Sequence, residues 1–177
     1  MVGHVHSHRL RLPIRRTARG ARVRHAPDHE AWMRLAIAQA RAAAAADRPD
    51  VPVGAVLLGR DGTVVATGRN ERELHRDPTA HAEIVAIRAA AAARGDWHLD
   101  DCTLVVTLEP CPMCAGAILA ARIPRVVFGA WDDKAGAAGS VLDVLRERRL
   151  PQRAEVVAGV LETECAALLT GFFGERR

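Results

Sequence analysis

His81-Ala82-Glu83 and, thirty residues on, Pro110-Cys111-Pro112-Met113-Cys114 put an imidazole, two thiols and a carboxyl group into two short stretches of the chain. One nitrogen and two sulfur donors fill three corners of a tetrahedron around zinc and leave the fourth for water, as a catalytic site requires and a structural site does not. Zinc so bound would lower the pKa of its water toward ~7, and a carboxylate that is not itself a ligand could carry the proton away and return it to a leaving group. The spacing predicts one Zn2+ per chain on His81, Cys111 and Cys114, with Glu83 as the catalytic proton shuttle. A closed structural site would need a fourth protein ligand, and Cys102, Cys165 and His98 each sit in or beside other predicted elements.

The spacing also constrains what must position these groups. His81 and Glu83 are two residues apart, so in mid-helix they would point about 200° from each other. They can share a site only if the metal lies just beyond a helix start, with both side chains curling over the first turn. Cys111 and Cys114, at i and i+3, are neighbours on one helix face. Two helices then aim their amino-terminal ends at one ion, and the partial positive charge there favours thiolate over thiol.

The pattern of apolar residues and breakers supplies such elements. Asp28 is a good N-cap for a helix reaching about Ala46, which Arg48-Pro49 ends. Val51 to Leu58 and Thr63 to Gly68 flank the turn Arg60-Asp61-Gly62 and read as a hairpin. Residues 69–79 read as a loop, followed by a helix from about Thr79, the expected N-cap, to Arg94, closed by Gly95. Cys102–Thr107 is predicted as strand, Cys111–Ala121 as helix and Arg125–Phe128 as strand. A glycine-rich loop at 129–140 precedes a predicted helix at 141–149, a strand at 155–160 and a last helix at about 162–173. Five strands with crossover helices imply an α/β sheet covered on both faces.

Composition narrows the class. The chain has 177 residues, 49% of them apolar, with no uncharged run long enough to span a membrane. Four cysteines, two of them in a metal-type pair, fit reducing surroundings, so a cytoplasmic protein is expected. Residues 1–27 carry seven arginines and no acid and are expected to form a disordered basic arm, with one catalytic domain over 28–177. Without that arm the net charge of +4 turns negative, eighteen basic against twenty-one acidic residues, so RNA contact must rely on local features.

His-Ala-Glu followed by Pro-Cys-x-x-Cys resembles the zinc-dependent nucleoside and nucleobase deaminases. Val51-Pro52-Val53-Gly54-Ala55-Val56, Asn70, Asp77-Pro78-Thr79-Ala80-His81-Ala82-Glu83, Thr107-Leu108-Glu109-Pro110-Cys111, Met113-Cys114-Ala115-Gly116-Ala117 and Gly136-Ala137-Ala138-Gly139-Ser140 are similar to the bacterial tRNA-specific adenosine deaminases. The similarity runs from about Trp32 to Phe173. It implies a cytidine-deaminase-like three-layer α/β/α sandwich with a five-stranded mixed sheet, working as a homodimer. It also implies hydrolytic deamination of the wobble adenosine to inosine in an arginine tRNA with anticodon ACG, with attack at C6. Asn70, Ala82, Trp131 and Asp132 are then the substrate-binding candidates and a tRNA anticodon stem-loop the partner. A deaminase of a free base or nucleoside (guanine, cytosine or adenine) keeps the same four catalytic residues and is the rival.

Trp131 stands where arginine is expected in such chains and could stack on an unstacked base or pack at a dimer seam. Asp132 could read the substrate or form a turn. Trp32 and Trp97 are assigned to packing, Phe172 and Phe173 to a core or interface, and Cys102 and Cys165 to the interior as small buried hydrophobes.

Overall fold

The computed structural model describes residues 27–174, so the arm predicted for 1–27 lies, but for Pro27, outside the described residues. In chain order the elements are α1 (Pro27–Ala44), β1 (Gly54–Leu58), β2 (Val64–Arg69), α2 (Arg72–His75), α3 (Ala82–Arg94), β3 (Thr103–Leu108), α4 (Pro112–Ala120), β4 (Arg125–Ala130), β5 (Glu155–Val157) and α5 (Glu162–Gly174). The strands form one mixed sheet in the order β2-β1-β3-β4-β5. β1 runs antiparallel to both β2 and β3, whereas β3, β4 and β5 are parallel.

Alternation along the strands divides the core in two. Ala55, Leu57, Leu104, Val106, Val126 and Phe128 face α3 and α4 through Ala82, Ala86, Ala90, Ala115 and Ile118. Val56, Leu58, Val105 and Val127 face the other way, onto Met33, Ala36 and Ile37 of α1 and Cys165 of α5. The sheet is therefore the middle of three layers, the sandwich expected. Cys102 and Cys165 are both buried, as expected of small hydrophobes.

Backbone contact between layers sets where the helices lie. A Cβ at Gly68 would collide with the Ala82 carbonyl and the Ala86 amide of α3, and one at Gly54 with the Ala36 carbonyl and the Ala40 amide of α1. Absence of these side chains lets each helix rest directly on the hairpin. Because β1 is antiparallel to its neighbours, β2 and β3 point the same way, and β4 follows β3 with Leu108 opposite Ala130. Three strands thus end on one edge of the sheet, and the segments after them lead to His81, Cys111 and Trp131.

Several expectations are corrected. The helix predicted over 141–149 is absent: the amides of Leu142 and Val144 donate to the carbonyls of Gly136 and Ala137, and Asp143 bridges Ala138, so the segment folds back on the preceding loop. The loop predicted at 69–79 contains α2, closed by Arg76 at φ 52°. Thr79 is not an N-cap. Asp77 accepts both its amide (2.8 Å) and its hydroxyl (2.7 Å), and the cap of α3 is His81. β5 spans three residues, shorter than predicted. Trp97 is exposed rather than packed, stacked on His98 with the Arg122 guanidinium 5.3 Å from its ring.

We expect Gly68→Ala to destabilise the fold by about 1–3 kcal/mol through the forced separation of α3 from β2. A lowered denaturant midpoint at unchanged slope is the measurement that checks it, and an unchanged midpoint would mean the helix can retreat at no cost.

Candidate functional site

His81 and Cys111 are the N-caps of α3 and α4, in extended conformation, and each is followed at once by its helix. Glu83 lies in the first turn of α3 and Cys114 in that of α4. The two helix starts converge, so His81, Cys111 and Cys114 come together from the segments before and after β3. Their donor atoms all lie within 4.8 Å of one another, and no fourth histidine, cysteine or carboxylate joins the group among the described residues.

The separations suit a metal. His81 Nδ1 lies 3.7 Å from Cys111 Sγ and 3.6 Å from Cys114 Sγ. In a tetrahedron with Zn–N and Zn–S bonds of ordinary length the N···S edge is about 3.6 Å. One nitrogen and two sulfurs are a zinc-preferring set, and both N···S separations already match that edge. The donors bias one another as well: hydrogen bonding with Cys114, followed by that with His81, holds the Cys111 thiol down to about 4, and the same Cys111 contact raises His81. The Cys114 thiol, next to that sulfur and buried, is pushed up.

Glu83 is buried, only 4% exposed, and loss of water pushes its carboxyl up to about 7. Opposing this, its hydrogen bonds and the nearby His81 favour the charged form. A carboxyl group poised near neutrality can both take up and release a proton at working pH.

Asn70 follows β2 and is buried; its amide donates to the Val53 carbonyl (3.0 Å) and its Nδ2 to Asp50 Oδ1 (2.9 Å). Its Oδ1 is buried with no partner, which leaves a polar group available to a ligand. Asp50 is the residue that orients this amide, since its two oxygens also accept from the amides of Val51 and Glu73, each at 2.8 Å. Sequence reading passed over Asp50, because an acid ahead of a strand carries no sign of burial.

Ala82 packs its methyl group in the core at the start of α3, so only its backbone faces the helix opening. Trp131 is 40% exposed on the loop after β4, edge-on to Phe128 at 4.8 Å between ring centres. Asp132 Oδ1 accepts from the amides of Lys134 (2.9 Å) and Ala135 (3.2 Å), so the turn role is the one it fills. Glu109, also passed over, is a second buried carboxylate beside the ligand pair.

A family model for the cytidine and deoxycytidylate deaminase zinc-binding region matches residues 26–130. The tRNA-specific adenosine deaminase of Bacillus subtilis (strain 168) is 47% identical over 148 residues, 84% of this chain and 90% of that protein. Among solved structures, one from work on A-to-I editing by tRNA:A34 deaminases at the wobble position of transfer RNA is 43% identical with a TM-score of 0.74, covering 78% of this chain and 99% of its own. A structure of guanine deaminase from Nitrosomonas europaea is 27% identical with a TM-score of 0.73, covering 97% of this chain and all of its own. The regions of similarity contain both ligand-bearing helix starts.

The buried carboxyl group has a measurable cost. With the folded value of Glu83 near 7 and the ordinary one at 4.5, the group favours the fold fully below 4.5 and loses that contribution as pH rises through about 7. In the metal-free protein we expect Glu83→Gln to match the parent near pH 4 and to be the more stable at pH 8, by on the order of 3 kcal/mol. Unfolding midpoints of both at several pH values check this; a gap independent of pH would contradict it.

Proposed function

Because the chain belongs to the cytidine and deoxycytidylate deaminase family, we propose that it hydrolytically deaminates the wobble adenosine of a tRNA to inosine, the substrate being an arginine tRNA with anticodon ACG. The observation that carries the chemistry is the convergence of His81 Nδ1, Cys111 Sγ and Cys114 Sγ at tetrahedral spacing with buried Glu83 beside them. These three side chains would hold one Zn2+ per chain. Zinc so held would acidify a water for attack on an amino-bearing ring carbon.

Glu83 supplies the proton traffic. Its carboxylate takes a proton from the attacking water, passes it to the ring nitrogen next to C6, and takes the remaining hydroxyl proton for the departing amine. Water and adenosine are thereby converted to inosine and ammonia, with Glu83 returned to its starting state. Asn70, held by Asp50, presents its open Oδ1 and second amide hydrogen to the extruded nucleoside, and the backbone at Ala82 borders it. Trp131 and the turn made by Asp132 meet the neighbouring nucleotides at the rim, where stacking of a base on the indole is worth about 1–3 kcal/mol. The working unit is a homodimer in the cytoplasm. No helix among the described residues is long and apolar enough to cross a membrane, and the four cysteines are unpaired.

The RNA substrate rests on the similarity to tRNA-specific relatives, which is higher in identity than that to guanine deaminase. Deamination of a free base is the second reading, favoured by the guanine deaminase likeness across nearly the whole chain.

We expect the zinc-loaded protein to convert adenosine to inosine in an anticodon stem-loop carrying A-C-G, detected by nucleoside digestion and mass spectrometry. Glu83→Ala should keep zinc and RNA affinity and lose turnover. Activity on free guanine, cytosine or adenine with none on the hairpin would move the assignment to the second reading, and loss of metal in Glu83→Ala would contradict the shuttle role.

A further inference from the structure

Glu109 is a carboxylate that the chemistry above does not use, though it lies two residues before Cys111 and is only 2% exposed. A buried carboxylate is costly unless its oxygens are filled with donors. Here they are: Oε2 accepts from the Asp132 amide at 3.0 Å, and Oε1 from the amides of Ala138 (2.9 Å) and Ser140 (3.0 Å). All three donors are backbone amides of the loop between β4 and the fold-back segment.

The same loop is closed around that group from other directions. Ser140 Oγ donates to the Asp132 carbonyl at 2.7 Å, and the Ala137 amide donates to the Pro110 carbonyl at 2.8 Å. Glu109 donates its own amide to the Ala130 carbonyl at 2.8 Å. A Cβ on Gly136 would run into Glu109 Oε2 and Ser140 Oγ, so the loop lies flush against the carboxylate. The strand end that leads to Cys111 and the loop that carries Trp131 are thus bound into one body.

We infer that Glu109 is a positioning residue: through the Asp132 amide it holds the adjoining Trp131 at the rim of the metal site, ready to stack on a nucleotide flanking the target base. This rests on the reading that the substrate is RNA. The geometry is specific about what a carboxylate does that its amide cannot. Glutamine at this position keeps one acceptor oxygen, but its NH2 must face either the Asp132 amide or the pair from Ala138 and Ser140, a donor against donors. The loop then loses its hold at one end while the packed volume is unchanged.

The test is a double-mutant cycle on the full-length zinc-loaded chain, with affinity for the A-C-G anticodon stem-loop as the readout and zinc content and turnover at saturating RNA measured alongside. Trp131→Ala and Glu109→Gln should each weaken binding about tenfold, as expected for one lost stacking contact. Zinc should be retained in both and saturated turnover in Glu109→Gln, and the double variant should bind no more weakly than Trp131→Ala alone. Unchanged affinity in Glu109→Gln, or losses that multiply in the double variant, would overturn the inference while leaving RNA as the substrate. Unchanged affinity in Trp131→Ala overturns it by a different route, since the loop is then not an RNA contact. Failure of the parent chain to bind or deaminate the hairpin removes the RNA reading and the inference with it. Should Glu109→Gln not fold, Ser140→Ala, which removes only the hydroxyl bond to the Asp132 carbonyl, enters the same cycle: coupling with Trp131→Ala supports the inference and independent losses overturn it.

Discussion

Convergence of two helix starts on one point is the constraint from which the remaining architecture follows. A helix presents unsatisfied amides and partial positive charge only at its first turn, and a side chain two residues along can share a target with the cap only there. His81 and Cys111 occupy the cap positions and Glu83 and Cys114 the first turns. To bring those starts together, β2 and β3 must end on the same edge of the sheet, which requires a strand between them running the other way. β1 is that strand. The mixed sheet, the alanine-lined underside of α3 and the bare backbone at Gly68 are all consequences of seating one helix start beside the other.

Two buried carboxylates flank this centre with opposite treatment. Glu83 is deprived of water and pushed up toward neutrality. Glu109, equally buried, is surrounded by three backbone donors and serves as an acceptor hub for a loop. The side-chain type is the same, and the three amide hydrogens aimed at Glu109 suit it to holding chain segments in place.

The layered sheet, four of the five helices among the described residues and the ligand group were legible in the sequence because strong local patterns marked them: apolar β-branched runs, breakers, and the spacing of His81, Glu83, Cys111 and Cys114. The segment 141–149 was not. It has helix-like periodicity, but its amides are claimed by Gly136 and Ala137 across a turn, and tertiary partners of that kind leave no local trace. Thr79 misled for the opposite reason, since Asp77 offered its hydroxyl a nearer partner than the helix did. Asp50 and Glu109 show the wider limit: an acid in a sequence is an acid on the surface until a fold buries it, and each acts through backbone amides brought from distant segments.

Long separation along the chain also bears on how the centre comes into being. His81 and Cys111 are thirty residues apart, and all of β3 lies between them. The hairpin of β1 and β2 joins segments close in sequence, whereas the imidazole and the sulfurs are brought together across β3, which pairs with β1. A nascent chain that ends before α4 holds half a grip. Capture of the ion by all three side chains accordingly needs the chain through β3 and the start of α4, so a filled centre records that both helix starts are in place.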